Sequence, residues 1–390
     1  MRKMLIVLGA ALIFARLTAL EGAVTVTETK AGDRTAVTME NDFIKLTFEP
    51  EKGGECTAFL YKPTSKQLLL ANEGSLVGSR VWNYADKELY QQWQNNPWEY
   101  EIKRSPTEIT LVMRAAGQVG FTRSTLFEKR VTLRDGEAMA RIEHVFHVGQ
   151  ELMVPQKIGL WFYNRCGVVG EQNLYCFPLD DGIVTVDPAA GVNQEWFYNP
   201  SRGWAAVAAG SGDGLCFNME YRRLMCFYMC QGKQPTFEWA FRTADIPNGD
   251  SLRTEEMIIP FSGLKRVHGS GGGIVAGFEA PAKCALADAQ KGVPVKVILT
   301  AGNAQNGELT VDVRRLSDGQ PRNLFKQEVT LAPAKVSASA LQFKAEQEGT
   351  WLLTGHVSVG GKEVMDFMTP IVVGAESAPV RIAEIGRAHV

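Results

Sequence analysis

The 390-residue sequence predicts an all-β protein, in which a large sandwich of antiparallel sheets is followed by a smaller sandwich. Three observations predict this fold class. Short segments of alternating apolar and polar residues recur over residues 24–280, and turn dipeptides such as Asp135-Gly136 separate them. Helical periodicity is almost absent from the same stretch. The pattern therefore indicates short strands, each with one buried face, joined by tight turns.

The clearest single element lies within residues 39–70. Pro50 ends a first strand because it has no N–H to donate, and Gly53-Gly54 permits a sharp change of direction before a second strand at 56–61. Three apolar residues alternate with polar ones in the first strand, as expected of a half-buried strand: Ile44, Leu46 and Phe48. This segment is predicted to be a hairpin.

Later segments extend the same pattern. The Asp135-Gly136 turn joins a strand at 126–134 to a long strand at 137–148. A further hairpin is predicted over 203–217, and a turn followed by a charged strand over 247–264.

Together with the first hairpin, these segments resemble the galactose mutarotase-like (aldose 1-epimerase-like) β-supersandwich superfamily. The resemblance covers residues 24–281 and implies a large β-supersandwich of antiparallel sheets. It also implies sugar binding on a concave sheet face, where the epimerases of the superfamily use a histidine acid and a carboxylate base.

Residues 282–383 form a second predicted unit, a C-terminal immunoglobulin-like β-sandwich. It lacks the Cys…Trp…Cys arrangement of true immunoglobulins, so only the architecture is predicted. The expected strands are 293–301, 308–316, 325–331, 336–344, 350–359 and 363–373.

The N-terminal residues 1–23 are predicted to be a signal peptide. Arg2 and Lys3 form a basic start, and residues 4–14 form an apolar run of the usual length. That run is shorter than the roughly 20 residues that a membrane helix needs. We therefore expect export to a secreted or periplasmic location and no membrane span after signal cleavage.

The C-terminal residues 384–390 back-translate to the start of a common sequencing-library adaptor, so they are predicted to be adaptor read-through. The reading frame is then expected to continue past residue 383. A catalytic domain of the same chain can lie there.

Composition excludes some functions. The chain has 41 basic and 43 acidic residues, a net charge of −2, and no basic patch, so nucleic acid is not an expected partner. Of its seven cysteines, Cys166 and Cys176 flank a short loop and are the best disulfide candidates. There is no Cys-x-x-Cys pair and no histidine at ligand spacing from a cysteine, so neither a metal nor a cofactor is expected.

The strand at 141–148 carries the first candidate site. Alternation places Glu143 and His147 on one face together with Arg141, while His144 points the other way and is predicted to be a core histidine. Such an acid–base pair suits sugar ring opening, because one group protonates the ring oxygen while the other takes the anomeric proton. Glu143 and His147 are therefore candidate catalytic residues and Arg141 a candidate sugar-binding residue, with a solvated polar face as the alternative.

Two aromatic segments, 81–100 and 193–204, carry further candidates. Rings stack on the C–H faces of sugars, and amides satisfy their hydroxyl groups. Glu195 with Glu143 forms a candidate carboxylate pair for hydrolysis, if about 5 to 9.5 Å separates them. The candidate sugar-binding residues in these segments are Trp82, Trp93, Trp98, Trp196 and Arg202. Core packing of these rings is the alternative.

The leading hypothesis is an exported carbohydrate-binding or carbohydrate-processing protein, the N-terminal accessory part of a longer glycan-degrading enzyme. Its expected partner is an oligo- or polysaccharide. In the first alternative, the supersandwich is itself a sugar epimerase, glycoside hydrolase or polysaccharide lyase. In the second, the chain is a structural β-module without a ligand.

Overall fold

A computed structural model describes residues 24–374, apart from 32–33, 71–74, 83–92, 94–95, 119, 151–155, 181, 191–193, 231–234 and 318. Nearly all regular structure in these residues is β, which confirms the predicted fold class. Within the same residues, no helix is long and apolar enough to cross a membrane. The predicted signal and adaptor segments lie outside the described residues.

The strands of this part of the chain, and its α-helix in the second sandwich, have the following bounds. A first sandwich contains β1 Thr25–Ala31, β2 Arg34–Glu40, β3 Ile44–Glu49, β4 Glu55–Tyr61, β5 Lys66–Gln67, β6 Gly78–Trp82, β7 Glu99–Arg104, β8 Glu108–Ala116, β9 Thr125–Arg134, β10 Ala140–Val148, β11 Gln156–Asn164, β12 Asn173–Leu179, β13 Gly182–Val186, β14 Gln194–Tyr198, β15 Trp204–Ala209, β16 Gly214–Met219, β17 Leu224–Cys230, β18 Thr236–Phe241, β19 Ala244–Ile246 and β20 Ser251–Phe261. A second sandwich contains β21 Gly269–Gly271, β22 Ile274–Glu279, β23 Lys283–Cys284, α1 Leu286–Lys291, β24 Val293–Ala301, β25 Gln305–Arg315, β26 Arg322–Leu331, β27 Val336–Phe343, β28 Gly349–Val359 and β29 Lys362–Val373. Short 3₁₀ turns occur at Lys62–Thr64, Gly120–Ser124 and Pro188–Ala190.

The first sandwich has two layers. One layer is a nine-stranded antiparallel sheet in the order β13-β12-β15-β16-β20-β10-β9-β8-β7. The other consists of a five-stranded sheet, β1-β2-β3-β4-β5, and a six-stranded sheet, β14-β17-β18-β11-β19 with β6 paired to β11. One continuous hydrophobic core lies between the layers.

Aromatic side chains fill the space between the layers. The ring centroids of Phe217 and Trp239 lie 5.1 Å apart, on the nine-stranded and six-stranded sheets respectively. On neighbouring strands of the nine-stranded sheet, Phe127 and Phe146 are 5.9 Å apart. All four side chains are fully buried, and each such burial contributes about 1.5–3 kcal/mol. Apolar contact between the sheets therefore supplies much of the stability.

The first predicted hairpin is confirmed. β3 ends at Glu49, immediately before Pro50, and pairs antiparallel with β4. Gly53 and Gly54 have positive φ values of 65° and 59°, which ordinary side chains rarely adopt. Gly54 also lies close to Trp98: a Cβ atom at this position would be 3.3 Å from the Trp98 ring.

The second predicted hairpin has a shorter strand than expected. β9 ends at Arg134 before the Asp135-Gly136 turn, but β10 begins at Ala140 instead of residue 137. The backbone between the turn and β10 makes other hydrogen bonds. Ala138 N–H donates to the carbonyl of Gly302 at 2.6 Å.

The second sandwich packs a four-stranded sheet, β21-β22-β24-β27, against a five-stranded sheet, β23-β29-β28-β25-β26, around its own core. The six predicted strands are confirmed, with β24 matching its predicted bounds and the others shifted at one or both ends. β22 pairs with β24, so residues 269–279 belong to this sandwich, although the sequence assigns them to the first unit. The immunoglobulin-like assignment stays a prediction.

The predicted disulfide between Cys166 and Cys176 is wrong. Both thiols are free and fully buried. Cys166 packs into the core between the two layers, whereas Cys176 packs into a separate cluster on the outer side of the nine-stranded sheet. Because β12 turns alternate side chains to opposite faces, Cys176 points away from Cys166.

That separate cluster joins the two sandwiches. Trp204, Cys216 and Phe261 on the outer face of the nine-stranded sheet pack with Val275 and Ile298 of the second sandwich. The second sandwich therefore covers the part of this sheet formed by β12, β15, β16 and the C-terminal end of β20. The outer face of β8, β9, β10 and the rest of β20 keeps a charged surface.

Candidate functional site

The first candidate catalytic segment lies on that charged surface. Glu143 and Arg141 line an open trough of about 730 Å³ along β10 and its neighbours. Glu143 forms ion pairs with Arg130 and Arg253, each at 2.7 Å, and Arg141 pairs with Glu137. Both oxygens of the Glu143 carboxylate are thus held by arginines.

The candidate partners of Glu143 lie elsewhere. His147 is on the same face of β10, but its Nδ1 bonds the Ser251 hydroxyl at 2.8 Å, and it does not line the trough. Glu195 is on β14 of the six-stranded sheet, in the opposite layer. The structure brings neither residue to Glu143, and the catalytic roles of all three stay predictions.

His144 is the core histidine that alternation predicts. It is fully buried, and its Nε2 lies 3.2 Å from a carboxylate oxygen of Glu256. Burial lowers the pKa of His144 below its usual value.

Trp93 and Trp98 are core residues, which corrects the prediction that they bind sugar. They are 1% and 3% exposed and pack near Phe127. Trp93 Nε1–H donates to the Ala115 carbonyl at 3.2 Å, and Trp98 Nε1–H donates to the Trp93 carbonyl at 2.8 Å. Trp82 ends β6, and its side chain lies outside the described residues.

Arg202 lies apart from Trp196, although the two are close in sequence. Its guanidinium makes a two-pronged ion pair with Asp366 of the second sandwich, at 2.8 and 3.0 Å. The structure therefore places Arg202 at the junction of the two sandwiches.

Trp196 belongs to a different surface, the face of the six-stranded sheet that points away from the core. Cross-strand partners share a face of a sheet. One row runs from Trp196 through Tyr228, Glu238 and Tyr163 to Gly78, and the next from Tyr198 through Cys226, Ala240 and Trp161 to Arg80. We call the following residues the aromatic face: Arg80, Trp161, Tyr163, Trp196, Tyr198, Tyr228 and Glu238.

The exposed part of the aromatic face is a pair of rings on β14. Trp196 is 43% exposed and Tyr198 is 59% exposed. Their rings are nearly parallel, with an angle of 7° and centroids 6.1 Å apart. Tyr228 and Trp161 support Trp196 from the neighbouring strands, at centroid distances of 4.5 and 5.5 Å.

Glu238 is the carboxyl group of the aromatic face. Trp161 Nε1–H donates to its Oε2 at 2.6 Å, and the Thr236 hydroxyl donates to its Oε1 at 2.5 Å. Arg80 Nη1 lies 3.5 Å from the same Oε2. Glu238 is only 3% exposed, and this burial raises its pKa above the ordinary value. A carboxyl group with a raised pKa beside a cation is suited to proton transfer.

Arg80 and Tyr163 extend this network to a second carboxylate. The guanidinium of Arg80 lies over the Tyr163 ring, 4.5 Å from its centroid. The Tyr163 hydroxyl donates to Glu55, which is 4% exposed at the start of β4. Burial is the main cause that raises the pKa of Tyr163.

Gly78 makes room for this arrangement, so Gly78→Ala is expected to destabilise the protein by about 1–3 kcal/mol. A Cβ at Gly78 would lie 1.9 Å from the Tyr163 ring, which would have to move away from Glu55. Urea unfolding checks the expectation. Gly210→Ala is the matched control, because the nearest atom to its Cβ is 3.9 Å away; equal stability of the two variants would contradict the packing argument.

The sequence contains a signal for this site. A single carboxylate, Glu238, lies in a largely apolar strand, TFEWAF. The partner Arg80 lies 158 residues earlier, and only the sheet register brings the two together. Among the described residues, no cluster of three or more His, Cys, Asp and Glu side chains is placed to hold a metal ion.

The chain is similar to several solved structures. A galactose mutarotase-like protein from Clostridium acetobutylicum is 7% identical, with a TM-score of 0.47 over 62% of this chain and 99% of that one. Galactose 1-epimerase from Lactobacillus acidophilus is 12% identical, with a TM-score of 0.45 over 62% and 99%. A TPR-domain containing protein from Parabacteroides distasonis is 13% identical, with a TM-score of 0.45 over 62% of this chain.

The chain spans 53% of the length of the Parabacteroides protein. No protein-family model matches the sequence, and no curated protein matches it. By fold this is an all-β sandwich protein whose structural neighbours include galactose mutarotase-like proteins at low sequence identity.

Proposed function

We propose that this chain is an exported carbohydrate-binding protein that holds a glycan on the aromatic face. The observation that carries the proposal is the exposed, nearly parallel pair Trp196 and Tyr198, supported from behind by Tyr228 and Trp161. Contiguous apolar patches exposed on a protein surface often mark sites that bind a partner. Rigid rings with few rotatable bonds suit binding, because little entropy is lost when they are covered.

The chemistry of the ligand follows from the neighbours of the two rings. The C–H face of a sugar ring is apolar and stacks on an indole or phenol ring, while its hydroxyl groups need hydrogen-bonding partners. The Tyr198 hydroxyl is at the surface, and the Glu238 carboxyl and Arg80 guanidinium lie on the same face. This mixture of apolar faces and polar groups suits a neutral oligo- or polysaccharide.

Glycan binding by the full chain tests the proposal. Trp196→Ala and Tyr198→Ala are each expected to weaken binding by about tenfold or more, as when the central ring of a binding surface is removed. Isothermal titration with soluble oligosaccharides, chosen from a glycan array, measures the change. Tyr221→Ala is the control, since Tyr221 is 48% exposed but is not part of the aromatic face. Equal binding by all three variants would exclude this face.

Catalysis on the bound sugar is the second candidate function. The observation that favours it is Glu238, a buried carboxyl group with a raised pKa that Arg80 approaches. Among the described residues the aromatic face carries no histidine, so a histidine acid of the kind the epimerase resemblance implies is not placed beside Glu238. Epimerase, hydrolase and lyase chemistry thus stay open within this candidate.

Export and an accessory role complete the proposal. The basic and apolar N-terminal segment supports a secreted or periplasmic location. We also propose a role as the N-terminal accessory part of a longer glycan-degrading enzyme. Sequencing the gene past residue 383 tests that role directly, and a stop codon directly after that residue would contradict it.

A further inference from the structure

A second cavity, of about 240 Å³, lies where the two sandwiches meet. Asp180, Arg202 and Trp204 line it from the first sandwich, and His268 and Asp366 line it from the side of the second. None of these residues belongs to the aromatic face.

Two largely buried residues that carry hydrogen-bond donors line this cavity. His268 is 7% exposed, and its Nδ1 accepts a hydrogen bond from the Phe278 N–H at 3.1 Å, so its ring hydrogen is on Nε2. Trp204 is 2% exposed. Within the described residues, neither the Nε2–H of His268 nor the indole N–H of Trp204 has a hydrogen-bond partner. An unpaired donor at the wall of a cavity can donate to a molecule inside it, so both groups favour a molecule that accepts hydrogen bonds.

The charges around the cavity favour a neutral molecule. Arg202 is neutralised by its two-pronged pair with Asp366, whose pKa it lowers. Burial lowers the pKa of His268 to about 3, so its imidazole is uncharged at neutral pH. Asp180 adds a further carboxylate to the wall. Arg266 also acts electrostatically on His268, so the positive and negative charges around the cavity nearly balance.

We propose that this cavity binds a single neutral sugar ring. Hydroxyl groups both accept and donate, so they match the two neutral donors and the carboxylate oxygens of Asp180 and Asp366. The indole of Trp204 and the side chain of Ile183 supply an apolar wall for a C–H face. The volume is below the roughly 300–1,000 Å³ of pockets for drug-sized ligands, so one ring fits where an oligosaccharide does not. This site is separate from the aromatic face and does not depend on glycan binding there.

Titration of the full chain with D-glucose, D-galactose and D-mannose tests the proposal. All titrations use the chain that carries both Trp196→Ala and Tyr198→Ala, so that the aromatic face contributes nothing to the binding measured. We expect saturable binding of at least one of these sugars, measured by ligand-observed NMR or calorimetry. Absence of saturable binding by all three would overturn the proposal.

Three further substitutions locate the bound sugar. His268→Asn keeps an oxygen that can accept from the Phe278 N–H, but its shorter side chain cannot place a donor at the position of Nε2, and it is expected to weaken binding about tenfold. Ile183→Trp fills the cavity and is expected to abolish binding. Asp180→Asn changes an exposed side chain, so it tests the site even if the other two variants misfold, which circular dichroism would show. Binding that is unchanged in Asp180→Asn and in whichever other variant folds would overturn the proposal.

Discussion

Lys129→Ala is expected to lower the free energy of unfolding by about 3–5 kcal/mol. Lys129 is fully buried between the layers of the first sandwich, where its Nζ donates to the carbonyls of Gly54 and Val77, both at 2.8 Å. The Trp98 ring lies 5.1 Å from the same atom. The Lys129 side chain thus joins two segments of the opposite layer, the glycine turn after β3 and the start of β6, to the nine-stranded sheet. Alanine removes both hydrogen bonds and leaves a cavity, and urea unfolding measures the loss.

Lys129→Met separates the two contributions. Methionine fills nearly the same space, so this variant is expected to lose less stability than Lys129→Ala, and the difference between them measures the cavity. A loss below about 1 kcal/mol in Lys129→Ala, the size of one ordinary hydrogen bond, would contradict the argument.

The pH dependence gives Lys129 a second signature. Burial lowers its pKa from 10.5 to about 8 in the folded chain. Between these pH values the unfolded chain binds more protons at this residue, so stability contributed by Lys129 rises with pH in that window. Relative to Lys129→Met, the native chain is therefore expected to gain stability from pH 8 to 10.5. This comparison cancels the tyrosine and cysteine titrations that both chains share.

Local alternation predicts the strands well because each strand buries one face. It predicts β3, the turn after β9 and six strands of the second sandwich within a few residues. It fails where contacts distant in sequence decide the outcome. The backbone before β10 pairs with Gly302 instead of extending the hairpin, and Lys129 occupies an inward position that alternation reserves for apolar residues.

The candidate site is harder to predict than the fold. Composition identifies aromatic segments but does not distinguish Trp98, whose N–H is satisfied in the core, from Trp196, whose ring is exposed. Glu143 is prominent in its own strand, yet two arginines from neighbouring strands hold it. Glu238 and Arg80 are brought together only by the register of β6, β11 and β18. No local sequence pattern contains this register.

Glu238→Gln is expected to lower sugar turnover by about 10²–10⁴-fold if the aromatic face is catalytic, the usual contribution of a general acid or base. Glutamine keeps the size of the side chain and one accepting oxygen for the Trp161 N–H or the Thr236 hydroxyl, but it cannot transfer a proton. Polarimetry of anomer exchange, release of reducing ends and absorbance of unsaturated products cover the three reaction classes.

Glu128→Gln is the matched control for that experiment. Glu128 is also 3% exposed and is held by Arg114 and Arg130, but it lies on the nine-stranded sheet, away from the aromatic face. Because both substitutions remove a buried carboxylate, a general loss of stability would affect both, whereas a catalytic role predicts loss of turnover in Glu238→Gln alone. Equal turnover in the two variants would leave Glu238 with a binding role. Absence of turnover in the unaltered chain, alongside glycan binding that depends on Trp196, would make the aromatic face a binding surface without catalysis.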